Sequence, residues 1–127
     1  MNFEEYFENI SGVGVLSTAD EKGKVNAAIY GRPHFMDEKT IAFIASDRLT
    51  HANLKKNSYA IYLFKEEGSY KGYRLYLTKT HEEKDSPLIE KIRRKKYKGM
   101  GRQYDKESKF LIYFNVEKVL PLIGDGK

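Results

Sequence analysis

The 127-residue chain contains no cysteine, which excludes a disulfide framework, thiolate zinc sites and a cysteine nucleophile. No apolar run is long enough to span a bilayer. The first ten residues, MNFEEYFENI, are acidic and broken by polar side chains, unlike a secretory leader. A cytoplasmic protein is the expectation. Gly-x-Ser-x-Gly, His-x-x-x-His and paired-carboxylate patterns are missing too, and His34, His51 and His81 are scattered. Neither a catalytic side chain nor a metal site is therefore expected.

What is present can pack. A hydrophobic fraction of 40% with 13% aromatics argues against disorder. The length suits one domain, residues 1–127, that removes roughly two-thirds of its unfolded surface from water. The net charge of +5 is local, because KIRRKKYK, from Lys91 to Lys98, carries six basic residues and no acid. Such a run reads first as the solvated face of a helix whose C-terminal dipole favours cations. A nucleic-acid-binding barrel using it is the weaker alternative, since Tyr97 alone does not make a stacking platform.

Phe3, Tyr6, Phe7 and Ile10 recur at helical spacing, which predicts a helix over residues 3–9 with Asn2 as its cap. VGVLST (13–18) and KVNAAIYGRPHF (24–35) read as two antiparallel strands around the turn DEKG, with a bend or edge at Gly31 and Pro33. IAFIA (41–45) is a third strand; YAIYLFK (59–65) and YKGYRLYLTKT (70–80) follow a helix that ends near Lys56. His81, among HEEK, reads as a loop residue, and His34, beside Pro33, as a rim residue first and a ligand contact second. Asp85 or Ser86 is placed to cap a helix opened by Pro87 and closed by GMGR (99–102), and KFLIYFNVEKVL (109–120) is the last strand. Strands joined by short turns predict a mainly β, antiparallel barrel or curled sheet with peripheral helices.

The turn after the third strand carries the most chemistry. In SDRLTH (46–51), Ser46 or Asp47 can cap the helix, while hydroxyls (Ser46, Thr50), a guanidinium (Arg48) and an imidazole (His51) lie within six positions. Free backbone N–H groups, the positive end of a helix dipole and Arg48 together describe a seat for a phosphate. An ordinary capped helix with exposed polar residues is the plain alternative. Ala27 and Ala28 leave room for close approach to their backbone, by a ligand or by a neighbouring strand.

The hairpin, IAFIAS, the polar turn, and Asn53-Leu54 followed by Asn57 and an apolar strand together resemble the split-barrel proteins that bind flavin mononucleotide (FMN) and are related to pyridoxamine 5′-phosphate oxidase. The resemblance runs from about Gly12 to Leu77 and implies an antiparallel split β-barrel, an FMN cofactor, a homodimer with sites across its interface, and flavin redox chemistry. It implies that Ser46, Arg48, Thr50 and His51 hold the phosphate or ribityl chain, and that Asn26, Ala27, Ala28 and Ile29 line the ring. The chain departs from the oxidase itself, with NAAIYG where that enzyme has basic residues flanking the strand, and Leu49-Thr50-His51 at the turn. An oxidoreductase of unassigned substrate is the expectation, with an FMN-carrying electron-transfer protein as the alternative. A deazaflavin or haem in place of FMN is not distinguished by these residues.

Overall fold

The structure, a computed structural model, describes residues 2–96 and 108–125, with side chains beyond Ile92 in the last helix left aside. Helix α1 (Phe3–Asn9) forms where the apolar spacing predicts it, and Asn2 Oδ1 accepts from the Glu5 N–H at 3.1 Å. Strands β1 (Gly12–Ala19) and β2 (Val25–Ile29) form a hairpin in which Leu16 pairs with Ala28 and Thr18 with Asn26. The bend at Gly31 to Pro33 ends β2, and a separate two-residue strand, β3 (His34–Phe35), follows. Next come β4 (Thr40–Ser46), α2 (Leu49–Lys56), β5 (Tyr59–Glu66), β6 (Gly72–Lys84), α3 (Pro87–Lys96) and β7 (Lys109–Pro121).

All seven strands belong to one antiparallel sheet in the order β2-β1-β5-β6-β7-β4-β3. The sheet curls but does not close, because β2 and β3 are both edges. Inside the curl lies a core of Leu16, Ile41, Phe43, Tyr62, Phe64, Leu75, Ile112 and Phe114, with Phe7 of α1 plugging one end. Phe7 meets Phe64 edge-on at 5.1 Å and stacks on Phe35 at 6.1 Å. Full burial of such a ring contributes about 1.5–3 kcal/mol. Gly14 faces the Tyr62 phenol so closely that a Cβ there would overlap it. That clearance lets the Tyr62 hydroxyl donate to the Gly31 carbonyl at 3.0 Å, fixing the bend after β2 from below.

Three departures from the sequence reading have physical causes. Strand β6 runs on through TKTHEEK to Lys84, since the long β7 offers it a backbone ladder across register shifts near Tyr76 and Lys79. His81 is thus a strand residue whose exposed ring stacks on Tyr113 at 4.2 Å, not a loop residue. The cap of α2 is Arg48, without a side-chain cap bond, rather than Ser46 or Asp47. Ser86 does cap α3, its Oγ accepting from the Leu88 N–H at 3.2 Å. The run Lys91 to Lys98 and the GMGR helix stop fall largely or wholly outside the described residues. Among those residues, no helix is long and apolar enough to cross a membrane.

Candidate functional site

Because the sheet curls, its two ends approach each other. Tyr30, just past β2, meets Phe43 of β4 edge-on at 5.9 Å, although the two strands lie far apart in the sheet order. Helix α2 bridges the gap. Its Asn53 Nδ2 donates to Thr18 Oγ1 at 3.1 Å, Leu54 enters the core, and Asn57 Nδ2 donates to the Asp20 carbonyl at 3.2 Å. These three residues pin the helix to the β1–β2 hairpin, so that its N-terminus faces β2.

Between them lies a groove of about 490 Å³. One wall is the unbroken run Asn26, Ala27, Ala28, Ile29, Tyr30 and Gly31; the other is Ile44, Ser46, Arg48, Leu49 and Thr50. A contiguous wall indicates that the groove borders the free edge of β2, not one face of it, because alternate strand residues point to opposite faces. As an edge strand, β2 keeps N–H and C=O groups outside its ladder with β1. The other wall adds the first turn of α2, whose N–H groups have no side-chain cap.

Of the eight residues that the sequence nominates, seven line this groove: Asn26, Ala27, Ala28, Ile29, Ser46, Arg48 and Thr50. Arg48 is exposed and Thr50 is buried. His51 is set apart from them. Its ring is buried behind the turn, with Nδ1 2.9 Å from Asp47 Oδ1 and Nε2 2.8 Å from Glu82 Oε2, and it stacks on Phe110 at 3.8 Å. Its intramolecular partners occupy both ring nitrogens, so in this structure the ring engages carboxylates and does not line the groove. Glu82 lies on β6, 31 positions along the chain, so no local pattern announces the pairing.

Sequence reasoning passed over Tyr30. Its side chain hydrogen-bonds Thr50 at the groove, and burial pushes its phenol above the usual range, partly offset by that bond. The strand alternation that places Asn26 and Ala28 with Thr18 and Leu16 carries on to Tyr30, and was the signal that could have found it. The His51 interaction holds the Asp47 carboxyl below its ordinary range. Burial pushes the Glu82 carboxyl up, but hydrogen bonds from His51 and Lys79 outweigh it and hold it low.

No protein-family model matches the sequence, and no curated protein matches it significantly. Solved structures do match in shape. An FMN-binding protein from Syntrophomonas wolfei superposes with a TM-score of 0.74 at 20% identity, covering 97% of this chain and 85% of that one. A protein from Lactobacillus delbrueckii described as a candidate pyridoxamine 5′-phosphate oxidase gives 0.67 at 17% identity, covering 94% and 92%. An F420 reductase gives 0.69 at 16% identity, covering 91% and 94%. The chain thus shares the fold of these structures, an antiparallel split barrel whose sheet is not closed.

Proposed function

We propose that the groove binds flavin mononucleotide and that the chain works as a flavin-dependent oxidoreductase. The observation that carries this reading is the opposition of two unlike walls. One offers hydroxyls, a guanidinium and uncapped helix N–H groups, which suit a phosphate. The other offers two alanines and a free strand edge, which suit a flat heterocycle with donors and acceptors along one side. A volume of about 490 Å³ lies within the range of small-molecule and cofactor sites.

In this arrangement Ser46, Arg48 and Thr50 take the phosphate end, and Asn26, Ala27, Ala28 and Ile29 take the ring. The hydrogen bond between Tyr30 and Thr50 holds the Thr50 hydroxyl at the groove wall, within reach of the anion. Bound flavin supplies the redox chemistry. The chain positions it and shields it from water, and no side chain is required as an acid or base. The F420 reductase among the structural neighbours makes a deazaflavin the rival cofactor.

The chain is further proposed to act as a homodimer. The outer face of the sheet across β2, β1 and β5 exposes Val13, Val25, Ile29 and Tyr59, at 52%, 83%, 72% and 71%. An apolar depression of about 420 Å³ between Val25, Tyr59, Ile61 and Tyr76 continues that face. Contiguous apolar surface of this kind marks an interaction site. Ile29 belongs to both the face and the groove, so a second copy packed there would roof the flavin.

The test is a titration of the purified protein with FMN, followed by visible absorbance and flavin fluorescence, with sedimentation for the oligomeric state. The reading expects saturable binding near one flavin per chain, a dimer, and reduction of the bound flavin by a nicotinamide cofactor. Binding without such reduction would favour an electron carrier; no binding at micromolar concentrations would overturn the flavin site.

A further inference from the structure

We propose that His51 is a positioning residue of the anion seat: held as an imidazolium between Asp47 and Glu82, it fixes the turn that presents Arg48 and Thr50, and phosphate affinity falls when it loses its proton. This rests on the flavin reading above. A neutral imidazole has one N–H, and here both ring nitrogens face carboxylate oxygens, at 2.9 and 2.8 Å. One of those contacts would set lone pair against lone pair; the imidazolium donates in both. The two carboxylates approach from opposite ring nitrogens, so the ring is placed to donate to both.

The surroundings are consistent on every side. From the turn comes Asp47; from β6 come Glu82 and Lys79, whose Nζ lies 2.6 Å from Glu82 Oε1; from β7 comes the Phe110 ring, stacked at 3.8 Å, a face that favours a cation. Lys55 and Lys84 act on Asp47 from further out. Asp47, Glu82 and Lys79 together carry one excess negative charge, which the imidazolium neutralises. Deprotonated, the cluster would leave that charge one residue from Thr50, beside the bound phosphate, and would loosen Asp47, which directly precedes Arg48. A cation in the first turn of a helix opposes the dipole, so the two carboxylates are what make it tolerable there.

The test measures FMN and riboflavin affinity by fluorescence between about pH 7 and 9.5, above the second ionisation of the phosphate, for the parent and for His51→Gln. In parallel, ring-nitrogen NMR of the parent, which has three histidines, reads the charge of His51 directly. Expected are two protonated ring nitrogens at pH 7, a one-proton fall of about tenfold or more in FMN affinity with rising pH, a flat riboflavin profile, and a weak, flat FMN profile for His51→Gln. A singly protonated ring at pH 7, a flat parent profile, or the same step in His51→Gln would overturn the proposal and leave the flavin site standing. Failure to bind FMN at any pH would overturn both. Should His51→Gln not fold, the NMR and the parent profile decide the matter.

Discussion

Replacing Thr50 by valine exchanges the hydroxyl for a methyl group and keeps the β-branched shape of threonine. Thr50 is 5% exposed, sits in the first turn of α2 and hydrogen-bonds Tyr30 at the groove. A hydrogen bond to a charged phosphate contributes about 1.5–3 kcal/mol, so FMN affinity should fall about ten- to hundredfold. Riboflavin, which lacks the phosphate, should lose far less. The fold should lose only about 1 kcal/mol, the net worth of the Tyr30 bond, since that phenol is only partly buried and can turn to water. Fluorescence titrations with both flavins, a urea melt, and Thr50→Ser as the restoring variant make the assay complete. Equal losses for FMN and riboflavin, or no loss for either, would show that the hydroxyl does not face the phosphate.

Ala28→Leu adds three carbons on the strand that borders the groove and should weaken FMN and riboflavin alike by tenfold or more, read in the same titration; unchanged binding would place the ring elsewhere. Asn53→Ala deletes the buried bond to Thr18 Oγ1 that ties α2 to β1, and should cost about 1–3 kcal/mol in urea denaturation; a neutral result would mean that Leu54 and Asn57 suffice to anchor the helix. Asp47 and Glu82 have depressed carboxyl pKa values in the folded protein. Their stabilisation is thus present above the unfolded carboxylate range and lost as pH falls through the lower folded values. Melting temperatures taken from about pH 6 to 3 should drop, and should drop less steeply for Glu82→Gln.

Elements built on local pattern were legible in the sequence. The apolar spacing of Phe3, Tyr6 and Phe7 marked α1, and IAFIAS running into a polar turn marked the β4–α2 corner. Features that depend on distant partners were not. The polar half of β6 is a strand only because β7 pairs with it. Asp47 is diverted from capping by His51, and His51 from the groove by Glu82, a residue on another strand. Residue type and spacing nominated most of one groove, but they could not separate a side chain lining it from one buttressing it from behind, which is a matter of which way a helix turn faces.

The most direct measurement is a crystal structure of the protein grown with FMN. The account predicts the phosphate within hydrogen-bond distance of Thr50 and Arg48, the isoalloxazine against Ala27 and Ala28, and His51 still bridging Asp47 and Glu82 behind the turn. Flavin lodged instead in the depression around Tyr59 and Tyr76, or density in neither place at saturating FMN, would contradict it.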